Sequence, residues 1–290
     1  MSAYRFCRTD DIGLLVEALN HCWSPYFPDE PPMTAAAFKR SIRDLQVWCS
    51  SCMVAFSGSD PVGVLIGAKR PHGTLVHKIA VHPDHRRQGH GRHLLSSLGS
   101  KLAILGPPRI IAEVPETLEA ASELFHASAY VEETLLTDYV WQGAPGGCDA
   151  PMVDGTFVIP VTVDDLDANG LLDDGQPPTC WERSVETLRV RKGDIAGLAA
   201  ASDERIEACI LYIRCGHDPE ENVELASLRS FADDGGASLR HLLSRLRAGG
   251  AGAFRIPKVH PAEISDEWLE TMGFRAAGAH RLYAATAEAQ

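Results

Sequence analysis

No stretch of this 290-residue chain is apolar for long enough to cross a bilayer, and its first residues lack the basic-then-apolar run of an export signal. The sequence therefore reads as a soluble protein with no membrane role and, by default, a cytoplasmic address. A basic stripe is also missing. The net charge is −12; residues 1–145 hold 13 Lys+Arg and 15 Asp+Glu (net −2), which leaves 14 and 24 (net −10) for residues 146–290. Such a balance repels polyanions, so nucleic acid is not an expected partner. The eight cysteines lack the dense spacing of a disulfide scaffold and read as free thiols. Cys49-Ser-Ser-Cys52 precedes a strand instead of opening a helix, which argues against thioredoxin-type chemistry, and no second ligand pair accompanies it, so no metal site is expected.

What the chain does have is 45% apolar residues, enough for two cores of ordinary size. Residues 143–155, rich in Gly and Pro, read as a linker between domains at 1–142 and 156–290. In the first half the patterning predicts a strand at 4–8, a helix capped by Thr9 and running to Asn20, and a helix opened by Thr34. Strands follow at 53–57, 62–69 and 74–82, then a helix whose Leu94, Leu95, Leu98 and Leu102 form one stripe. A strand at 109–114, a helix at 118–128 and a closing strand or hairpin at 130–141 complete it. The fold class this implies is α/β (α+β), with a mixed, mainly antiparallel sheet flanked by helices.

The second half repeats the first. An ungapped shift of 148 positions lays Arg92-His-Leu-Leu-Ser-Ser-Leu98 over Arg240-His-Leu-Leu-Ser-Arg-Leu246, with six of seven residues identical. A strand, a helix and then Ala129-Tyr130-Val131 or Gly273-Phe274-Arg275 follow each copy, as expected of a tandem duplication.

One segment carries chemistry. After the apolar strand ending at Val81 come His82-Pro83, two arginines, and glycines that open the leucine helix: Arg86-Arg87-Gln88-Gly89-His90-Gly91-Arg92. The first amides of a helix have no intrahelical partners and sit at the positive end of its dipole, and glycines let a diphosphate approach the backbone. Arg86, Arg87 and Arg92 add charge of the right sign.

This strand-loop-helix resembles the signature of the GNAT (GCN5-related) N-acetyltransferase superfamily, Arg/Gln-x-x-Gly-x-Gly/Ala at a helix start, which Arg86-Arg-Gln-Gly-His-Gly91 matches in full. In order of elements the resemblance covers residues 4–141, and more loosely the second half, so the chain is similar to tandem GNAT proteins. The resemblance implies acetyl-CoA as co-substrate and a primary amine, small molecule or peptide, as acceptor, with a homodimer as one possible assembly. By position, Ile79, Ala80 and Val81 would contact the pantetheine arm, Arg86, Arg87, Gln88, Gly89, His90, Gly91 and Arg92 would cradle the pyrophosphate, and an amide near Val81 would polarise the thioester carbonyl.

An amine nucleophile must lose a proton, and two bases are candidates. His77 is expected on the central strand with the parity of Ile79 and Val81, and its neighbourhood resembles the strand of arylalkylamine N-acetyltransferases where a histidine serves proton relay; Glu113 lies on the next strand. His126 is a third, weaker candidate. His82, His85, His90 and His93 read as surface or phosphate-side residues. Where the family often carries a tyrosine as general acid, this sequence has Phe125, which leaves open a protein that binds or senses acyl-CoA with weak or no turnover. The segment Tyr26-Phe-Pro-Asp-Glu-Pro-Pro32 stands where relatives shape the acceptor pocket. In the second copy the 148 shift maps Arg86 to Asp234, Gly89 to Ala237 and Gly91 to Leu239, which predicts a GNAT-like domain that binds no coenzyme A.

Overall fold

The structure, a computed structural model, describes residues 2–142, 155–172, 178–215 and 222–287; the linker expected at 143–155 lies, but for Gly155, outside them. The first repeat runs β1 (Ser2–Phe6), α1 (Ile12–Trp23), α2 (Ala35–Leu45), β2 (Met53–Ser57), β3 (Asp60–Arg70), β4 (Gly73–Val81), α3 (His90–Leu105), β5 (Arg109–Pro115), α4 (Glu119–Ala127) and β6 (Val131–Gln142). The second runs β7 (Phe157–Val161), α5 (Val163–Ala168), α6 (Val185–Val190), β8 (Ala196–Ala201), β9 (Ile206–Arg214), β10 (Asn222–Ser230), α7 (Ala237–Ala248), β11 (Ala253–Val259), α8 (Asp266–Thr271) and β12 (Arg275–Thr286). The fold is mixed α/β with mainly antiparallel sheets, as the patterning implies; no helix among the described residues is long and apolar enough to cross a membrane.

The two compact units are not the two halves of the chain. Unit 1 comprises Met1–Thr134 together with Arg281–Gln290, and unit 2 comprises Leu135–His280. The sheet of unit 1 is ordered β1-β2-β3-β4-β5 and then the end of β12; that of unit 2 is ordered β6-β11-β10-β9-β8-β7. Each repeat therefore supplies a closing strand to the sheet of the other unit. A strand's own alternation reports which face is buried but not which neighbour it pairs with, so the sequence pattern places both strands without revealing the exchange.

Helix ends follow side-chain chemistry. Thr34 caps α2 as expected, accepting from the Ala37 amide at 3.1 Å. Thr9 does not cap α1. Asp11 instead ends the turn before that helix, its carboxylate accepting from the Arg8 amide and from the Arg5 guanidinium at 2.7 Å each, and the helix continues past Asn20 to Trp23. Helix α3 buries Leu94, Leu95, Leu98 and Leu102 against Leu65, Val76, Ile110 and Ala112 of the sheet. At about 1.5–3 kcal/mol for each such side chain, this stripe fixes the helix over the sheet of unit 1.

The Cys49/Cys52 pair is structural. Cys52 is fully buried, its thiol donates to the Trp48 carbonyl at 3.3 Å, and burial pushes the adjoining Cys7 thiol up to about 12, so these sulfurs stay protonated and unreactive.

Tyr283, from the last strand of the chain, has 0% exposure in the core of unit 1. Its ring stacks on Phe125 with centroids 5.6 Å apart, and its hydroxyl hydrogen-bonds His126 Nε2 at 3.1 Å. Tyr283→Ala is expected to destabilise unit 1 by about 3–5 kcal/mol, the usual cost of deleting a buried ring. Tyr283→Phe should cost about 1 kcal/mol for the lost hydrogen bond. Calorimetric unfolding of both variants, with hydrogen exchange assigning the loss to residues 2–134, checks the strand exchange; an effect of Tyr283→Ala confined to unit 2 would contradict it.

Candidate functional site

The site begins where a sheet comes apart. Strands β4 and β5 are parallel partners only at Thr74–Ile110 and Leu75–Ile111. Beyond Leu75 they diverge, so one edge of β4 faces an open groove. The His82 amide donates to the Val62 carbonyl at 2.9 Å on the β3 side. Because antiparallel hydrogen bonds alternate, Ile79 and Val81 turn their N–H and C=O groups the other way, into the groove.

A bulge sits at the point of divergence. Ile66 pairs with Lys78 and Gly67 with Val76, so His77 is the extra residue of β4. Val76 and Ile79, three apart, both pack into the core beneath α3. The parity expected of His77 with Ile79 and Val81 is therefore interrupted by this bulge. His77 and Glu113 stand two residues beyond the last paired residues, Leu75 and Ile111, on the two parting strands.

At the mouth of the groove is the N-terminus of α3. Gly89 is its N-cap with φ +84°, a left-handed conformation that glycine adopts without strain. The first intrahelical bond joins the His93 amide to the Gly89 carbonyl, and no side chain caps the amides of 89–92. Gly91 meets a different constraint. A Cβ there would lie 3.0 Å from Leu124 of α4, so its absence lets the two helices approach.

A cleft of about 570 Å³ joins these features. It is lined by Ile79, Ala80 and Val81, by Arg86, Arg87, Gly89, His90, Gly91 and Arg92, and by Leu118, Ala121 and Leu124 on the opposite side. Gln88 of the loop is outside this lining, as are the candidate bases His77 and Glu113 on the strands. Arg87, itself at φ +61°, projects a side chain 89% exposed toward Glu123, with N and O 3.6 Å apart. The main chain of His90 belongs to the loop, but its imidazole does not reach solvent. It is 3% exposed and hydrogen-bonded through Nδ1 to the Tyr4 hydroxyl at 2.8 Å, so of its two readings, surface or phosphate-side, the first does not hold. Burial, followed by the nearby His85 and His93, holds the His90 pKa below the usual imidazole value, so the ring is neutral at pH 7.

Sequence reasoning missed Trp23 and gave Tyr26 and Phe27 only a regional role. All three line the cleft. Phe125, in the place of the family's tyrosine, is 2% exposed between Tyr130 and Tyr283. The His126 imidazole bonds Tyr283 and does not line the cleft.

The corresponding place in unit 2 is filled from within. The helix faces match at the 148 shift, but the left-handed N-cap glycine of α7 is Gly236 (φ +79°), one residue earlier than that shift puts it. Gly89 therefore corresponds to Gly236, not to Ala237. The Asp234 carboxylate accepts from the Gly236 and Ser238 amides at 2.8 Å each, and a Cβ on Gly236 would lie 2.3 Å from Trp268 Nε1. Strands β10 and β11 also part, after Glu224–Arg255. There the buried Arg183 donates to the Ala226 and Pro257 carbonyls at 3.3 Å each and forms a bidentate pair with Glu263. No three His, Cys, Asp or Glu side chains among the described residues are placed to hold a metal.

Comparison with known proteins follows the same division. The family model described as the acetyltransferase (GNAT) family matches residues 14–129, whereas no curated protein matches the sequence significantly. Over the whole chain the fold is similar to that of a GCN5-related N-acetyltransferase from Sphaerobacter thermophilus (13% identity, TM-score 0.71, 99% of this chain and 96% of that one). It is also similar to a tandem GNAT protein from the clavulanic acid biosynthesis pathway (14%, TM-score 0.66, 99% of each chain). A putative acetyltransferase from Pyrococcus horikoshii shares it as well (15%, TM-score 0.62, 99% and 90%). With its open-edged β4 and its glycine-capped α3, the segment 14–129 matches the GNAT acetyltransferase family model, and the whole chain shares the fold of a tandem GNAT protein.

Proposed function

We propose that unit 1 transfers an acetyl group from acetyl-CoA to a primary amine, of a small molecule or a peptide, by direct attack. The observation that carries this reading is the meeting of two sets of main-chain donors in one cleft: those of Ile79 and Val81 on the open edge of β4, and those of 89–92 at the start of α3. A thioester with an amide-bearing arm and a diphosphate fits that pair, because the arm needs strand-like partners and the diphosphate needs a helix start. Hydrogen bonds from such amides to a charged acceptor contribute about 1.5–3 kcal/mol each, and Arg86, Arg87 and Arg92 add attraction. Bound there, acetyl-CoA supplies an activated acetyl group.

The protein's own residues do the remaining work. Ile79 and Val81 align the arm, and the Val81 amide is a fixed donor for the carbonyl oxygen as negative charge grows on it. Removing a proton from a lysine-like amine at pH 7 costs roughly 4–5 kcal/mol, from about 3.4 pKa units at 1.36 each. His77, at the bulge where the strands part, is the proposed base, with Glu113 across the groove as the competing one. Phe125 favours a second reading, an acyl-CoA-binding protein with little turnover, because no hydroxyl stands there to protonate a leaving thiolate. Release of free coenzyme A over a panel of amines separates the two.

In unit 2 the Asp234 carboxylate already occupies the amides that a diphosphate would need, and Arg183 bridges the parting strands. Calorimetric titration with acetyl-CoA should therefore give one equivalent per chain. Arg87→Glu should weaken binding about ten- to thirtyfold, from one attraction lost and one repulsion gained at an exposed site. Two equivalents per chain, or unchanged affinity in Arg87→Glu, would count against the assignment. His77→Gln should leave acetyl-CoA affinity unchanged and lower kcat by about 10²–10⁴, removing the limb of the pH–rate profile that rises through neutrality. If that limb persists and instead vanishes in Glu113→Gln, the base is Glu113.

A further inference from the structure

The groove edge of β4 is held by a side chain from outside the sheet. Tyr26, in the turn that follows α1, donates its hydroxyl proton to the Val81 carbonyl at 2.5 Å. The Tyr26 hydroxyl oxygen in turn accepts from Arg86 Nε at 2.6 Å, and the Arg86 guanidinium carbon lies 4.4 Å from the Tyr26 ring centre. A phenol has one proton. With it committed to Val81, only the oxygen's lone pairs remain for Arg86, so one residue ties together a main-chain group of the strand and the first arginine of the loop.

The segment that carries Tyr26 is packed on itself. The Tyr26 amide donates to the Trp23 carbonyl at 2.9 Å and the Glu30 amide to the Phe27 carbonyl at 3.1 Å. The rings of Trp23 and Phe27 stack at 4.7 Å, and Trp23 Nε1 donates to Glu30 at 3.0 Å. Trp23, Tyr26 and Phe27 form one wall of the cleft, so a displacement of Tyr26 moves that wall as a body.

On the reading that this cleft binds acetyl-CoA, two of the groups Tyr26 holds are ones the coenzyme needs: the Val81 carbonyl, which faces the groove, and Arg86. We propose that Tyr26 is a positioning residue that latches the free enzyme, releasing Val81 and Arg86 to the arm and diphosphate as the coenzyme enters. Release of Tyr26 then loosens the segment 23–30 that carries it.

Tyr26→Phe keeps the ring and removes both hydrogen bonds. The latch predicts that its Kd for acetyl-CoA falls about three- to tenfold and that stopped-flow association is faster by a similar factor, because no bond must be broken before entry. An unchanged or raised Kd overturns it. In the wild-type chain, hydrogen–deuterium exchange at residues 23–30 should quicken on saturation with acetyl-CoA; slowed or unchanged exchange also overturns the latch, whatever the variant's stability. If the wild type binds no acetyl-CoA, the coenzyme reading fails and the latch with it; binding without release sinks the latch alone.

Discussion

The structure of the site depends on the loss of pairing between β4 and β5 after Leu75 and Ile111. An unpaired strand edge inside a protein is costly unless something takes up its polar groups. In unit 1 that edge opens onto a cleft, with a helix start whose amides lack caps close by. Both features present main-chain donors to the cleft, and both are fixed by the packing around it: the leucine stripe of α3 in the core, and the close approach of α3 to α4 that Gly91 permits at the cleft wall. Rigid support for exposed main-chain groups is what lets a cleft recognise a ligand by its backbone geometry.

Unit 2 shows what the same scaffold becomes when those donors are satisfied from within. Its corresponding strands also part and its helix also begins at a left-handed glycine. Yet Asp234 sits on the first amides, held below the usual carboxylate range by its hydrogen bonds to them despite burial that works the other way. Arg183, paired with Glu263, spans the parted strands. A carboxylate thus satisfies the helix-start amides and a buried guanidinium–carboxylate pair fills the gap between the strands, so these polar groups are satisfied from within the unit. The two units thus share one fold and differ in what satisfies the amides at the start of the corresponding helix.

Much of this was legible in the residues. The leucine stripe, the Thr34 cap, the linked strands from Met53 to Val81 and the Arg/Gly loop each follow a local rule, and each stands close to where the pattern puts it. What was not legible depends on contacts far apart in sequence. The partner of β12 cannot be read from its alternation, and the bulge at His77 arises from pairing with β3 that shifts by one residue. The burial of His90 depends on Tyr4, 86 positions away. Arg183 gave no motif at all. Asp234 did give a signal, an acid beside two glycines, but charge alone suggested repulsion of a phosphate, whereas the geometry shows the carboxylate accepting from the helix-start amides.

The most direct measurement is amide NMR of the chain labelled with 15N at glycine, isoleucine and valine, titrated with acetyl-CoA. The account predicts large shifts for Gly89, Gly91, Ile79 and Val81 and none for Gly236. Perturbation of Gly236 with the unit 1 amides unmoved would contradict it.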